Sequence, residues 1–512
     1  MDKIKSCKSC KSCHPVKKLT ELKRTPMIKT LSFITILLLL TLQSASAVRQ
    51  NGSKLALSDC QIPNFAGKAK CGTFDVYENR ATKTGRKISL KIVLIPATGD
   101  KREPEPFVYF AGGPGSAATG DAAGIAQAFP QILAQRDMLF VDQRGTGGSH
   151  GLDCKFYDPA DVQTSLGYFF PLEEVKKCRE QLETNSDLKL YTTTIAADDM
   201  DEIRAALGYE RLNLFGGSYG TRAAMTYLKR HSKHVRAAIL QGVSPTNHFM
   251  PSDFPQQTER ALQGVLSECL ADKACSEAFP NIKEETKSVL AQLIKGPVEV
   301  ELQKPNSSDR VKVKLSRDLA AEAIRYMLYS PVPAGRVPLV LHLASQGNYV
   351  PLARAAIGYR LNLVGSGSNG MYLSVTCAED LPWIKPGEGE RMAANTFLGD
   401  YRLRQQREAC ALWPRAEIEK DYSQPVKSDV PVLILTGEWD PVTPPSNGDR
   451  AAKTLTNSLH VVVPSGAHGL NGLEGTDCID KLIVEFIGRG TIKDLDTACV
   501  KNIHRKGFTL KF

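Results

Sequence analysis

Short runs of apolar residues recur along the chain and alternate with stretches whose apolar residues follow a helical spacing. Several runs are apolar at every position, as expected for strands that are covered on both faces. The predicted strands are Phe74–Tyr77, Ile88–Ile95, Phe107–Phe110, Met138–Val141, Leu212–Phe215, Ala237–Leu240, Val432–Leu435 and Leu459–Val463. The predicted helices include Ala196–Leu207, Thr221–Lys229 and Cys478–Ile487. This alternation predicts an α/β fold with a mostly parallel sheet flanked by helices.

Residues 246–425 have a different pattern, which is mainly helical and is interrupted by stretches rich in Pro and Gly. The strand pattern resumes at Asp429, directly before Val432–Leu435. We therefore predict a helical cap at 246–425, inserted between two parts of one α/β core, residues 60–245 and 426–512. We find no internal repeat.

Within the first 47 residues, residues 27–47 have the pattern of a secretory signal peptide, and residues 1–26 are a lead-in segment that precedes it. Lys29 supplies positive charge, Leu31 to Leu42 form a short apolar segment, and Ala45-Ser46-Ala47 offers a cleavage site with small residues. The apolar segment is shorter than the roughly 20 residues that cross a bilayer. We expect a secreted or periplasmic protein without a stable membrane anchor after cleavage; an uncleaved anchor is the alternative.

The net charge of +10 overstates how basic the mature protein is. Nine of the 65 Lys and Arg residues, but only two of the 55 Asp and Glu residues, lie within residues 1–47, which leaves +3 for the rest. Such a small excess does not indicate nucleic acid or an anionic membrane as a partner. The oligomeric state is left open.

Ten of the thirteen cysteines follow the predicted signal peptide. An even number behind a signal peptide favours disulfides in an oxidising compartment, and no Cys-x-x-Cys pair of a zinc site occurs among these ten. If neighbours in sequence pair, the bridges are Cys60–Cys71, Cys154–Cys178, Cys269–Cys275, Cys377–Cys410 and Cys478–Cys499.

The strongest chemical signal is Gly216-Gly217-Ser218-Tyr219-Gly220, which joins a predicted strand to a predicted helix. A serine on such a sharp turn projects its hydroxyl beyond the sheet, and glycines allow the neighbouring chain to pass close by. The context of strand, turn and helix makes Ser218 the candidate nucleophile, with an ordinary glycine turn as the alternative.

A serine nucleophile requires a base, usually His, which a carboxylate orients. Asp440 follows the strand Val432–Leu435, and His468 lies in the loop after Leu459–Val463. The order Ser, Asp, His is the one expected when a nucleophilic serine lies on such a turn. Glu438 is the competing carboxylate.

An acyl-transfer site also requires hydrogen-bond donors for the developing oxyanion. The backbone N–H of Tyr219 is one candidate, and the N–H of Gly112 or Gly113, directly after the strand Phe107–Phe110, is the other. No phosphate-binding glycine motif accompanies these residues, so no metal or cofactor is expected.

Three motifs together resemble the proline iminopeptidase group of α/β-hydrolases. They are Gly112-Gly113-Pro114-Gly115, Asp142-Gln143-Arg144-Gly145-Thr146-Gly147-Gly148-Ser149 and the Ser218 turn. The segment Cys71–Val76 and the surroundings of Asp440 and His468 look more like the secreted tripeptidyl aminopeptidase branch. The resemblance implies an α/β-hydrolase fold and a serine exopeptidase that acts on free peptide amino termini.

The resemblance also implies roles for particular residues. It places the catalytic triad at Ser218, Asp440 and His468, and the oxyanion hole at Gly113 and Tyr219. Ala111 stands where proline iminopeptidases usually have His, which leaves selectivity for proline open. A carboxylesterase with the same triad remains an alternative, because the triad determines acyl transfer and not the acyl group. A catalytically inactive binding protein is a third class, which the intact Ser, Asp and His disfavour.

A peptide substrate with a free amino terminus calls for a carboxylate partner, because a buried cation must be paired. The core motifs leave no acid unassigned, so the partner is expected in the cap. Glu379 and Asp380 are the candidates, beside Cys377 and Trp383. The alternative is that both are solvated loop acids.

Overall fold

The computed structural model describes residues 55–158, 161–303, 308–365 and 367–512. A nine-stranded sheet lies at its centre. The strands, in chain order and including four outside this sheet, are β1 Ser58–Ile62, β2 Phe65–Tyr77, β3 Lys87–Ile95, β4 Phe107–Phe110, β5 Met138–Val141, β6 Leu212–Gly217, β7 Val235–Gln241, β8 Val298–Gln303, β9 Arg310–Leu315, β10 Val432–Gly437, β11 Ser458–Val463, β12 Leu473–Glu474 and β13 His504–Arg505.

The strand order in the central sheet is β1-β2-β3-β5-β4-β6-β7-β10-β11. The strands from β5 to β11 in this order run parallel, whereas β1, β2 and β3 pair antiparallel at one side. The predicted, mostly parallel sheet is confirmed, and every predicted strand lies within a strand of the structure.

Residues on one strand alternate between two apolar clusters, one on each face of the sheet. On β7, Ala237 and Ile239 belong to one cluster, and Ala238 and Leu240 belong to the other. A strand covered on both faces needs apolar side chains at consecutive positions, which explains why these runs were visible in the sequence. The edge strand β1 has no buried residue, and it was not predicted.

Helices cover both faces of the sheet, and the three predicted helices are confirmed with slightly different bounds. Outside the segment between β7 and β10, the α-helices are Ala122–Ala128, Pro130–Leu133, Val162–Ser165, Leu172–Glu183, Thr193–Ala206, Tyr219–His231, Pro445–Ala452 and Asp477–Arg489. Short 3-10 helices occur at Ala118–Gly120, Leu188–Leu190, Ser232–His234, Leu381–Trp383 and Ala498–Asn502.

Between β7 and β10 the chain leaves the sheet and forms mainly helices. They are Phe254–Ala271, Lys273–Ala278, Ile282–Lys295, Arg317–Met327, Pro331–Ala334, Val337–Ser345, Val350–Gly365, Asn369–Glu379, Glu388–Ala393 and Tyr401–Ala411. The antiparallel pair β8–β9 was not predicted, although its strands alternate apolar and charged residues, a pattern typical of half-buried strands. We propose that this segment is the cap predicted at 246–425.

Five disulfides connect the ten cysteines of the described residues in the predicted pairs: Cys60–Cys71, Cys154–Cys178, Cys269–Cys275, Cys377–Cys410 and Cys478–Cys499. Such a set is typical of proteins in an oxidising compartment. The predicted signal peptide, residues 1–47, lies outside the described residues. None of the described helices has both the length and the apolar character needed to cross a bilayer.

Candidate active site

Ser218 occupies the turn between β6 and the helix Tyr219–His231. Its backbone angles, φ 56° and ψ −126°, lie outside the regions that a side-chain-bearing residue prefers. Two hydrogen bonds hold this conformation: Ser218 N donates to the carbonyl oxygen of Gln241 at 2.9 Å, and Thr221 N donates to the carbonyl oxygen of Ser218 at 2.9 Å. The serine is therefore kept at the carboxyl edge of the sheet.

Glycines around Ser218 allow close contacts between main-chain segments. A Cβ atom on Gly220 would overlap the carbonyl oxygen of Phe110, and one on Gly216 would lie 2.5 Å from the carbonyl oxygen of Gly220. A Cβ atom on Gly112 would lie 3.1 Å from Cβ of Ser218. Gly220 is therefore required by the packing of the helix against β4, and Gly216 by the turn itself.

Asp440 lies just beyond β10 and is completely buried. Its Oδ1 accepts hydrogen bonds from the N–H groups of Val442 and Thr443, both at 2.8 Å. Burial alone raises the pKa of the Asp440 carboxyl, but the adjacent His468 and the donors of Thr443 outweigh burial, so the pKa lies below its ordinary value. Asp440 is thus held as a carboxylate.

His468 reaches Asp440 from the loop after β11. Its Nδ1 is 2.8 Å from Asp440 Oδ2 and 2.9 Å from Thr443 Oγ1, and Thr443 Oγ1 also donates to Asp440 Oδ2 at 2.7 Å. The ring of Tyr329 packs edge-on against the imidazole at 5.3 Å between ring centroids. Because these contacts engage Nδ1, the Nε2 atom is left for chemistry.

The structure separates the two candidate carboxylates. Glu438, the competing acid, accepts a hydrogen bond from Ser465 N at 2.9 Å, whereas Asp440 bonds the imidazole. Thr443 was not predicted as a site residue, although it follows Asp440 by three positions. That spacing is typical of a turn in which an Asp side chain accepts from the main chain.

The two predicted oxyanion donors are the N–H of Tyr219, which directly follows Ser218, and the N–H of Gly113, in the segment after β4. Tyr219 is the first residue of its helix, where a backbone N–H has no acceptor within the helix. Gly113 has φ 108°, a conformation that favours glycine, and it lines the same cavity as Ser218. That these two N–H groups form the oxyanion hole stays a prediction.

Ser218 and His468 open into one cavity of about 350 Å³ between the sheet and the helices that follow β7. Its volume falls in the range of small-molecule sites, about 300–1,000 Å³. Aromatic side chains form much of the wall, and the described lining residues include arginines but no aspartate or glutamate. The aromatic contribution comes from Phe169, Phe170, Phe254, Tyr329, Tyr359 and Tyr372.

Glu379, a predicted amine-binding residue, is completely buried and does not line this cavity. Its Oε1 accepts from Thr193 N at 2.7 Å, and its Oε2 accepts from Thr193 Oγ1 at 2.6 Å and from the hydroxyl of Tyr422. Thr193 Oγ1 in turn lies 2.7 Å from the hydroxyl of Tyr219. The carboxyl is therefore tied to the helix that begins after Ser218.

Asp380, the second predicted amine-binding residue, is also completely buried and also does not line the cavity. Its Oδ1 lies 2.9 Å from Arg222 Nη1 and accepts from Met250 N at 3.0 Å. Burial raises the pKa of Glu379 and of Asp380. Their role as an amine anchor stays a prediction: both oxygens of Glu379 are bonded within the protein, whereas Asp380 Oδ2 is buried with no hydrogen-bond partner among the described residues.

Within the described part of the chain, one group of side chains has the spacing of metal ligands: Asp201, His231 and His234. Asp201 is already bonded to Arg204 and to the hydroxyl of Tyr227. These contacts account for the group as an ion-pair network on the helices, away from the residues that line the Ser218 cavity.

Comparison with known proteins confirms the fold and the resemblance. Residues 105–288 match the family described as alpha/beta hydrolase fold, and residues 395–499 match the family described as TAP-like protein. The chain thus has the α/β-hydrolase fold, and its resemblance to the tripeptidyl aminopeptidase branch is confirmed.

Similar proteins include hydrolases whose names give different activities. The chain is 26% identical to serine protease Hip1 of Mycobacterium tuberculosis over 489 residues, which cover 88% of this chain and 91% of the relative. It is 24% identical to tripeptidyl aminopeptidase of Streptomyces lividans, with 89% and 88% covered. It is 25% identical to carboxylesterase B of Mycobacterium tuberculosis, with 84% and 86% covered.

Proposed function

We propose that the chain is a secreted serine exopeptidase that releases residues or short peptides from free peptide amino termini. One observation carries the proposal: Ser218 on its strained turn and His468, paired with Asp440, line the same cavity. The serine protease and tripeptidyl aminopeptidase relatives support peptides as the substrate class.

In the proposed mechanism, Ser218 Oγ attacks the carbonyl carbon of the scissile amide while His468 Nε2 accepts its proton. Asp440 holds the imidazole by Nδ1 and stabilises the imidazolium. The N–H groups of Gly113 and Tyr219 stabilise the oxyanion of the tetrahedral intermediate.

The intermediate collapses when the C–N bond breaks and His468 protonates the leaving amine, which yields an acyl-enzyme at Ser218. Water, deprotonated by His468, then attacks the ester carbonyl. A second tetrahedral intermediate releases the acid and returns the proton to Ser218. No metal or cofactor enters these steps.

The substrate's amino group requires a carboxylate partner outside the arginine-containing cavity. An adjoining depression shares Ser116 and Ser368 with that cavity, and its lining holds three acids, Asp121, Asp153 and Glu174, together with Lys155 and Lys177. Asp153 accepts a hydrogen bond from Ser368 Oγ at 2.6 Å, which places a carboxylate next to the shared wall. An amino terminus that extends along the shared wall would meet the carboxylate of Asp153.

A carboxylesterase with the same triad is the second candidate. The relative named carboxylesterase B favours it, and so does a cavity whose described lining residues include no carboxylate for an ammonium group. Both candidates share the acyl-enzyme chemistry, so they differ in the acyl group and leaving group.

The test combines one variant with a substrate panel. A fluorophosphonate should label the wild type at Ser218, and Ser218→Ala should lower turnover by several orders of magnitude with folding intact. Tripeptide and aminoacyl amides, free or acetylated at the amino end, are compared with short acyl esters. Hydrolysis of the free-amine amides supports the exopeptidase. Hydrolysis of the esters alone would refute the exopeptidase and favour the carboxylesterase. Labelling at another serine would refute the mechanism.

Secretion has its own test. Mass spectrometry of the protein exported from a host with a secretory pathway should show a mature chain that begins at Val48. Retention of residues 27–47 in the exported protein would contradict the predicted cleavage.

A further inference from the structure

The cavity that contains Ser218 carries an excess of positive charge. Arg325 and Arg402 both line it, and both are almost completely buried, with 2% and 3% of their surface exposed. Burying a guanidinium is costly unless a carboxylate or another acceptor meets its donors. The two side chains therefore require hydrogen-bond acceptors close to the cavity.

Arg402 has few partners within the described residues. Its Nη2 makes one long hydrogen bond, 3.5 Å, to the hydroxyl of Tyr372, while Nε and Nη1 have no hydrogen-bond partner. Its Cζ lies 3.3 Å from the ring centroid of Phe169, so an aromatic face supports the guanidinium plane. A buried guanidinium held by its face, with unused donors at its edge, is arranged to receive a ligand.

The acid of this cluster, Glu322, does not satisfy Arg402. Glu322 Oε1 accepts from Arg325 Nη1 at 3.0 Å and from the hydroxyl of Tyr359 at 2.8 Å, and Oε2 accepts from the hydroxyl of Tyr401. The Nε atom of Arg402 is 3.9 Å from Glu322, too far for a hydrogen bond. The single carboxylate of Glu322 thus balances the charge of only one of the two guanidinium groups.

Both arginines stay charged in this setting. Burial lowers the pKa of Arg402, but the charge of Glu322 outweighs burial and raises it above its ordinary value. Burial likewise opposes ionisation of Glu322, but Arg325 and Arg402 lower its pKa to about 2. The cluster therefore keeps a net positive charge at neutral pH, next to the candidate nucleophile.

We propose that Arg402, backed by Arg325, binds a carboxylate carried by the acyl portion of the substrate. The planar guanidinium matches the two oxygens of a carboxylate. This inference rests on the proposed acyl transfer at Ser218 and names the substrate class that the site prefers. The carboxylate has two sources: an acidic side chain on the amino side of a scissile peptide bond, or the free acid of a dicarboxylic hemiester.

The first experiment needs no variant. Tripeptidyl coumarylamides with glutamate at the first, second or third position are compared with the matching glutamine peptides at about pH 7, where the side chain is ionised. p-Nitrophenyl hemisuccinate and hemiglutarate are compared with p-nitrophenyl butyrate. We expect the wild type to prefer at least one acidic substrate over its neutral match by ~10-fold or more in kcat/KM, since a buried charge-assisted hydrogen bond is gained.

The second experiment assigns the preference to Arg402. Arg402→Met should remove the preference, so that kcat/KM falls by ~10-fold or more for the acidic substrates relative to their neutral matches, chiefly by a higher KM for the acidic substrates. Arg402→Lys keeps the positive charge but not the planar guanidinium that can donate two parallel hydrogen bonds, so it should retain part of the preference for acidic substrates. Arg360→Met is the matched control: Arg360 is equally buried and contacts Tyr157, but it does not line the cavity.

The outcomes separate this inference from the proposed function. Hydrolysis of neutral peptides with no preference for glutamate or hemiesters overturns the carboxylate site and leaves the exopeptidase intact. A preference for hemiesters without peptide hydrolysis supports the carboxylate site and refutes the exopeptidase. Equal losses on acidic and neutral substrates in Arg402→Met, or the same loss of preference in Arg360→Met, would show that Arg402 serves only the fold.

Discussion

Replacing Thr443 by valine should weaken catalysis without dismantling the site. Thr443 Oγ1 donates to Asp440 Oδ2 at 2.7 Å and lies 2.9 Å from His468 Nδ1. Valine has nearly the same shape but no hydroxyl. The carboxylate keeps the N–H donors of Val442 and Thr443, so Asp440 should stay in place while one hydrogen bond to it is lost.

The expected loss in kcat/KM follows from that single hydrogen bond. A hydrogen bond to a charged group contributes about 1.5–3 kcal/mol. If the loss is expressed in the transition state, where the imidazolium depends on Asp440, kcat/KM falls about 10- to 150-fold, at about 1.4 kcal/mol per factor of ten. This is well short of the loss expected for Ser218→Ala, because the nucleophile and the base remain.

The assay compares Thr443→Val with Thr443→Ser, which restores the hydroxyl on a smaller side chain. Steady-state kinetics on one amide and one ester, together with urea unfolding, separate catalysis from stability. We expect the serine variant to recover most of the activity, and the valine variant to lose kcat on both substrates by a similar factor.

Two results would refute this reasoning. The first is a Thr443→Val enzyme with kcat/KM within about twofold of the wild type, since the lost bond is predicted to contribute more than 1 kcal/mol. The second is a Thr443→Ser enzyme as impaired as the valine variant although both unfold like the wild type. That result would assign the effect to the methyl group and its packing.

Other predictions address the turn, the charge cluster and the buried acids. Gly220→Ala should destabilise the protein and abolish activity, since its Cβ would overlap the carbonyl oxygen of Phe110. The control Gly124→Ala has open space at its Cβ, so it should leave activity unchanged and leave the thermal unfolding temperature equal or slightly higher. Glu322→Gln should destabilise the protein near neutral pH. Because folding lowers the pKa of Glu322 from 4.5 to about 2, the carboxylate stabilises the wild type above pH 4.5, and this stabilisation declines as the pH falls towards 2. Urea unfolding at decreasing pH should therefore show the free energies of unfolding of the wild type and the variant converging. Glu379→Gln should reduce stability and lower hydrolysis of free-amine peptides and of neutral esters equally, because its carboxyl is bonded within the protein; a loss confined to free-amine peptides would instead support the amine anchor.

The sequence by itself determined the central sheet and identified the candidate catalytic residues at its edge. Strands covered on both faces must be apolar throughout, so Met138–Val141 and Val432–Leu435 were visible as uninterrupted runs. The Ser218 motif was visible because glycines stand at fixed spacings around the serine, where Gly216 and Gly220 lie too close to main-chain atoms to carry a side chain. Signals of this kind are local, and they survive in a single sequence. The polar edge strand β1 and the β8–β9 pair lacked such runs and were missed.

Only the tertiary structure decided which polar residues share a neighbourhood. Glu379 and Asp380 follow one another in the chain, and the sequence could not show that one bonds Thr193 and the other Arg222, since these partners lie far away in sequence. Arg402 likewise belongs to a helical stretch with no motif, yet it lines the cavity with Ser218. The physical reason is that the energy of a buried charge depends on its partners in space, which chain folding alone brings together.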